Sequence, residues 1–179
     1  MRAFWILTFI TTATPKVAID AGHGGSQHGA RGICGLSEKD VTLAVSQQLQ
    51  NLLQASQRVQ AFLLRSRDSD LPLEKRAELA NLEGASLLVS IHANSSPLLE
   101  SVGVETYFLS PKASSTRLRH LVDRENAGFS QTEKAASSLL QRVLGSLKLQ
   151  AAHSESQRLA TRIQEHLATD LLAHHRGVF

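Results

Sequence analysis

VAIDAGHGG, residues Val17 to Gly25, joins a run of apolar residues to a histidine set among glycines. The segment Lys16 to Asp20 has the length and composition of a buried strand. The glycines let the following loop turn tightly and admit a substrate close to the backbone. In open parallel sheets, sites lie at the carboxyl ends of the strands. We therefore expect His23 to lie at such an edge.

Strand-like and helix-like segments alternate after this loop. Apolar residues recur at helical spacing from Val41 to Leu53, and a second helix is predicted with Pro72 in its first turn and Gly84 near its end. Further strands are predicted at Gln60 to Arg67, at Leu87 to Ile91 within the apolar run Ser86 to Asn94, and at Gly103 to Ser110. This alternation predicts an α/β fold with a mostly parallel sheet flanked by helices on both faces.

The residues after the fourth strand have a different character. The stretch from Ser114 to about Gly145 is polar and helical in pattern, and a second amphipathic helix is predicted from His153 to Ala173. No linker rich in proline, glycine or serine precedes them. We therefore predict one domain over residues 15–179 with a helical insertion at about 111–145, because 179 residues are too few to expect two cores.

Residues 1–14 have the outline of a secretory signal peptide. Arg2 precedes a short apolar run, Ala3 to Ile10, and small and polar residues follow. The alternative is an N-terminal strand. The run is far shorter than the roughly 20 apolar residues of a membrane span, so no transmembrane segment is predicted. The expected location is secreted or periplasmic.

The composition excludes several kinds of site. Cys34 is the only cysteine, so neither a disulfide nor a thiolate zinc site can form within the chain. Aromatic residues make up 4% of the chain and the basic residues are scattered, so no nucleic-acid partner is expected. The segment AGHGGSQHGARG matches neither nucleotide-binding glycine pattern. Because the chain has a single cysteine, any metal must be bound by histidine and carboxylate.

Two histidines and one glutamate are candidate metal ligands. His23 follows the first strand and His92 follows the third, so both belong at the carboxyl edge of a parallel sheet. Glu38 comes directly after Ser37, a predicted N-cap that together with Asp40 suits a capping box. Two imidazoles and one carboxylate leave a position open for water, as in catalytic zinc sites. Taken singly, each has an ordinary alternative, a hydrogen-bonded loop histidine or a glutamate favoured by the helix dipole.

Three other polar residues belong near the same edge. Asp20 is a candidate to orient a metal ligand, and the alternative is that it simply ends a strand. His28 is interpreted as a surface histidine in preference to a residue of the cleft. Asn94 either orients a substrate or stabilises its own turn.

Six segments resemble, in order and spacing, those of the zinc-dependent N-acetylmuramoyl-L-alanine amidases of the AmiA, AmiB and AmiC type. They are VAIDAGHGG, SEKDVTLAVSQQL, LLRSRD, LEKRAELAN, SIHANSS and GVETYFLS. The resemblance implies that His23, Glu38 and His92 bind Zn²⁺. It also implies hydrolysis of the amide bond between N-acetylmuramic acid and L-alanine in peptidoglycan.

The resemblance leaves the catalytic residue of this chain unknown. The family's catalytic glutamate lies in a late segment resembling V-E-x-x-F-x-S-N, whereas this sequence reads HHRGVF up to Phe179. We expect a chain truncated at its C-terminus and poor turnover, because a positioned base commonly contributes roughly 10²–10⁴-fold. The alternatives are a non-catalytic remnant that binds zinc or cell-wall peptide, and an α/β binding domain without a metal.

The predicted insertion contains the segment DRENA, which resembles part of an inhibitory helix in several of these amidases. That helix covers the zinc site, donates a glutamate to it and is withdrawn by an activator protein. The resemblance implies Glu125 as the inhibitory ligand, with Glu133 as the alternative. A carboxylate in the open position would displace the reactive water. The ordinary interpretation is two solvated glutamates on a polar helix.

Overall fold

The computed structural model describes residues 14–32, 35–95, 102–108, 139–171 and 175–178. The chain divides into two compact units between Ser95 and Ser96, and each unit is described by itself. Several predictions fall outside the described residues. They concern nearly all of the predicted signal peptide, Cys34, and most of the predicted insertion with Glu125 and Glu133. Within the described ranges, no helix is long and apolar enough to cross a membrane. The domain limits given above stay a prediction.

A three-stranded parallel sheet forms the first unit. Its strands are β1 (Lys16–Ala21), β2 (Gln60–Leu63) and β3 (Leu87–Ile91), in the order β2-β1-β3. Helix α1 (Glu38–Ala55) connects β1 to β2, and helix α2 (Leu73–Leu82) connects β2 to β3. Strand β1 lies at the centre of the sheet, and all of its residues after the first are buried. The carboxyl ends of all three strands therefore meet at one edge.

The core of this unit lies between the sheet and α1. Val17 and Ile19 alternate with Ala18 and Asp20 along β1, so the two pairs point to opposite faces. On the face that includes Ile19, a buried cluster of Val17, Ile19 and Ala61 contacts partly buried apolar residues of α1, of the neighbouring strands and of the loop before β2: Leu49, Leu53, Val59, Leu63, Leu87, Val89 and Ile91. On the other face Asp20 pairs with Arg76 of α2. The predicted α/β class with helices on both faces is confirmed.

In the part of the second unit that the structure describes, two short strands pack with one long helix. Strands β4 (Val104–Thr106) and β5 (His175–Val178) pair in parallel, and helix α3 (Leu139–Asp170) packs on both. The side chain of Gln164 is fully buried. It accepts a hydrogen bond from Thr106 Oγ1 at 2.8 Å and donates one to the Val104 carbonyl at 2.7 Å. The amide thus joins the helix to β4.

Among the described residues, two predicted strands are shorter than expected and one has the predicted bounds. Strand β2 ends at Leu63 and not Arg67, because the chain then leaves the sheet and the Arg65 side chain turns toward the end of β1. Strand β3 has the predicted bounds, Leu87–Ile91, which leaves His92 just beyond the sheet. Strand β4 covers only Val104–Thr106.

The second unit also corrects the predicted helix boundaries. One helix, Leu139–Asp170, runs through the predicted break between about 145 and 153. Gly145 alone costs about 1 kcal/mol in a helix, which good helix-forming neighbours offset. Strand β5 was not predicted, because HRGV shows no apolar alternation and depends on pairing with β4.

Candidate metal centre

Three side chains from separate elements converge at the carboxyl edge of the first sheet. His23 Nε2 lies 3.2 Å from Glu38 Oε2, and His92 Nδ1 lies 3.1 Å from Glu38 Oε1. The two imidazole rings contact each other edge to face, with centroids 5.1 Å apart. One ligand atom from each of the three residues falls within 4.8 Å of the others. The structure therefore brings together the three residues that the sequence indicates as candidate metal ligands.

Two glycines make room for this cluster. A Cβ on Gly22 would lie 2.6–2.8 Å from the imidazole ring of His92, closer than any side chain can approach. A Cβ on Gly29 would lie 2.6 Å from His23 Cδ2 and 2.7 Å from Glu38 Oε2. The backbone of Gly29 also has a φ of +67°, which glycine adopts without strain. Both positions are thus filled by the only residue that fits.

Two backbone N–H groups, one from the loop before α1 and one from the residues after β3, hold the carboxylate of Glu38. Its side chain is 2% exposed, and its carboxylate accepts hydrogen bonds from the backbone N–H groups of Ala30 at 2.8 Å and Ala93 at 2.9 Å. Burial raises the pKa of Glu38, but the hydrogen bond with His92, these two N–H groups and the nearby His23 outweigh it and lower the pKa to about 2. Glu38 is therefore an anion at any physiological pH.

The predicted capping box is wrong. Ser37 does occupy the N-cap position of α1, but its side chain makes no capping hydrogen bond. The N–H groups of Glu38 and Lys39 instead donate to the carbonyls of Ala30 and His28, at 2.8 and 3.3 Å. The loop before the helix thus supplies the acceptors that a capping side chain would otherwise provide.

The glycine loop after His23 is fastened to the segment that follows β2. Asp68 accepts a hydrogen bond from the Gly25 N–H at 2.6 Å and pairs with Lys39 at 2.7 Å. Asp70 accepts two hydrogen bonds from Ser26, from its N–H at 2.8 Å and its hydroxyl at 2.6 Å. The hydrogen bond from Lys39 lowers the pKa of Asp68, and those from Ser26 lower the pKa of Asp70.

Sequence reasoning missed two buried arginines at this edge. Arg65 is 4% exposed and Arg76 is 5% exposed, and both donate hydrogen bonds to backbone carbonyls at the end of β1. Their segments, LLRSRD and LEKRAELAN, contribute to the family resemblance, which assigns neither arginine a role. One clue was available: Arg76 lies four residues before Ala80, and these are the two buried residues of α2.

The other nominated residues occupy different surroundings. Asp20 is 4% exposed and accepts hydrogen bonds from Arg76 and, at 2.8 Å, from the Ser90 hydroxyl. Asp20 is connected to His23 through Arg76, whose guanidinium pairs with Asp20 and also donates a hydrogen bond to the His23 carbonyl. His28 and Asn94 are both exposed.

The three ligand candidates fit a zinc ion. Zinc bound by histidine nitrogen and carboxylate oxygen at 2.0–2.2 Å in a tetrahedron spaces its ligand atoms about 3.3 Å apart. His23 lies 3.2 Å from one oxygen of Glu38 and His92 lies 3.1 Å from the other, so either oxygen has an imidazole nitrogen at close to that spacing. The donor set of two imidazoles and one carboxylate is that of several catalytic zinc sites.

Comparison with known sequences gives a consistent family. The family profile described as N-acetylmuramoyl-L-alanine amidase matches residues 17–179. N-acetylmuramoyl-L-alanine amidase AmiA of Escherichia coli is 39% identical over 134 residues, which cover 72% of this chain and 45% of that protein. The chain thus spans about half the length of the curated relatives it matches.

The chain is also similar to solved structures of N-acetylmuramoyl-L-alanine amidases. N-acetylmuramoyl-L-alanine amidase AmiC2 of Nostoc punctiforme is 41% identical with a TM-score of 0.50, over 54% of this chain and 53% of that one. The N-acetylmuramoyl-L-alanine amidase from Clostridium difficile 630 is 25% identical with a TM-score of 0.66, over 93% of this chain and 69% of that one.

Proposed function

Because this chain belongs to the N-acetylmuramoyl-L-alanine amidase family, we propose that it contributes the zinc-binding part of an amidase that acts on peptidoglycan. The bond cleaved is the amide between N-acetylmuramic acid and L-alanine of the stem peptide. The observation that carries this proposal is the convergence of His23, Glu38 and His92 at one edge of the sheet. A location outside the cytoplasmic membrane, secreted or periplasmic, follows from the position of such a substrate.

A zinc ion bound here would polarise the scissile carbonyl and lower the pKa of a bound water toward neutrality. The chain's own residues prepare that site. Glu38 supplies the negative charge, and the N–H groups of Ala30 and Ala93 hold its carboxylate in one orientation. The imidazoles of His23 and His92 are 21% and 30% exposed, so a substrate can reach the site from solvent.

The proton acceptor of the reaction is a separate group. Glu38 is unsuited to that role, because its two oxygens are already engaged by the two imidazoles and two backbone N–H groups. The resemblance assigns the role to a glutamate in a segment like V-E-x-x-F-x-S-N. If no carboxylate takes it, the same geometry supports the second candidate function, binding of zinc and cell-wall peptide without cleavage.

The test uses the 179-residue chain with purified peptidoglycan. New L-alanine amino termini are counted by mass spectrometry with zinc, after chelation, and for the variant His92→Ala. Release that needs both zinc and His92 supports the amidase. Zinc binding with retention on peptidoglycan but no release favours the binding function. A chain that binds no zinc contradicts both.

The family resemblance also supports regulation by a helical segment. We propose that Glu125, with Glu133 as the alternative, occupies the open ligand position until an activator protein withdraws the segment. The chemical reason is that a carboxylate at this position competes with water. Zinc-dependent release should increase for Glu125→Ala and stay unchanged for a control substitution at the exposed Glu155.

A further inference from the structure

Two buried arginines surround the turn that carries His23. Arg65 follows β2 and Arg76 lies in α2, so they approach the end of β1 from separate elements. Between them their guanidinium groups donate hydrogen bonds to the carbonyls of three consecutive residues, Ala21, Gly22 and His23. No functional role was assigned to either arginine by the sequence patterns.

Arg76 uses four N–H donors on four different acceptors. Nε donates to the Leu71 carbonyl at 3.1 Å, and Nη2 donates to the His23 carbonyl at 2.9 Å. Nη1 donates to the Ala21 carbonyl at 2.9 Å and to the carboxylate of Asp20. The ion pair with Asp20 therefore anchors the guanidinium, and its remaining donors fix the backbone on either side of Gly22.

Arg65 bonds to the same turn and to α1. Its Nε donates to the Ala21 carbonyl and its Nη2 to the Gly22 carbonyl, both at 2.9 Å. The same Nη2 reaches the Lys39 carbonyl at 3.0 Å and the Thr42 hydroxyl at 3.2 Å. Thr42 in turn donates to the Gly22 carbonyl at 2.8 Å. Arg65 thus joins the histidine turn to the first turn of the helix that carries Glu38.

His23 needs such support because its backbone is in an unfavourable conformation. Its φ is +59°, in the left-handed region that residues other than glycine rarely adopt. Such a conformation persists only where the surroundings determine it. It is this conformation that places the imidazole beside Glu38, 3.2 Å from Oε2.

We propose that Arg65 and Arg76 are positioning residues that hold His23 in its left-handed conformation, so that its imidazole is oriented for metal binding before the metal arrives. This inference rests on the proposed zinc site. A lysine could neutralise Asp20 but could not replace either arginine. Its single ammonium has three donors at one point, whereas the planar guanidinium spreads five donors over three nitrogens.

The experiment compares zinc affinity in the 179-residue chain and the variants Arg76→Lys and Arg65→Lys. The matched control is Arg58→Lys, the same change at an exposed arginine. Zinc Kd is measured by competition with a chromophoric chelator, the visible spectrum of bound Co²⁺ reports ligand geometry, and circular dichroism reports the fold. Each test variant should bind zinc roughly 10–100-fold more weakly, with a changed Co²⁺ spectrum and the fold retained. The control should match the unsubstituted chain.

Three results separate the possible explanations. Folded lysine variants with unchanged zinc Kd and an unchanged Co²⁺ spectrum overturn the positioning role, while the zinc site stands. Failure of both lysine variants to fold also overturns it, because the arginines would then be holding the fold and not the histidine. An unsubstituted chain that binds no zinc instead contradicts the proposed function.

Discussion

His92 Nδ1 lies 3.1 Å from Glu38 Oε1, although 54 residues separate the two along the chain. The contact exists because β3 ends beside β1 and α1 begins at the same edge, so their terminal residues meet. The adjacent N–H of Ala93 donates to the same oxygen at 2.9 Å. The end of one strand therefore orients both an imidazole and the carboxylate next to it.

The contact between Gly22 and His92 gives a first prediction. In Gly22→Ala the new methyl group would lie 2.6–2.8 Å from atoms of the His92 ring, so the imidazole must shift and its contact with Glu38 is disturbed. We expect zinc to bind roughly 10–100-fold more weakly, as measured by chelator competition. The control is Gly32→Ala, where the nearest atom to the added Cβ is 3.6 Å away. Equal zinc affinity in both variants would show that His92 is not held as described.

The lowered pKa of Glu38 predicts how the stability of the metal-free chain depends on pH. A carboxyl whose pKa is about 2 in the folded chain and 4.5 when unfolded stabilises the fold above pH 4.5 and loses that contribution as the pH falls to 2. The difference corresponds to about 3 kcal/mol at most. In urea unfolding between pH 2 and 6, the free-energy gap between the unsubstituted chain and Glu38→Gln should shrink as the pH falls. A gap independent of pH would contradict the lowered pKa.

The burial of Ile19 predicts a large effect on stability. This residue is fully buried at the centre of the sheet, so Ile19→Ala leaves a cavity and should lower the free energy of unfolding by roughly 2–5 kcal/mol. Leu52→Ala in α1 is the control, because that side chain is 70% exposed and its loss should change stability by less than about 0.5 kcal/mol. Urea unfolding curves measure both. A similar loss in the two variants would place the core elsewhere.

The sequence predicts the alternation of strands and helices in the first unit, and with it the edge where His23, Glu38 and His92 meet. Apolar periodicity is sufficient for this, since the position of a residue at the end of a parallel strand determines its edge. Periodicity does not identify the partners of Arg65 and Arg76, whose hydrogen bonds to Gly22 and His23 join residues 43 and 53 positions apart. Those contacts are defined only by the folded chain.

Strand ends and the capping of α1 show the same limit. The apolar character of Leu63 and Leu64 continues past the point where β2 ends, so composition alone extends the strand. Ser37 has the right identity and place for an N-cap, yet the carbonyls of His28 and Ala30 take the N–H groups of the first turn. The local sequence permits a longer β2 and a side-chain cap on α1. Contacts with residues outside the strand and the helix determine which structure forms in each case.

The zinc site is tested most directly by the zinc content of the 179-residue chain and of His23→Ala, measured side by side by native mass spectrometry. We expect one zinc ion per unsubstituted chain and none retained at equal zinc concentration by the variant, because His23, Glu38 and His92 together supply the ligands. Loss of zinc in His23→Ala but not in the exposed-residue control His28→Ala would locate the ion at this edge. Stoichiometric zinc in His23→Ala with unchanged affinity, or none in the unsubstituted chain, would contradict it.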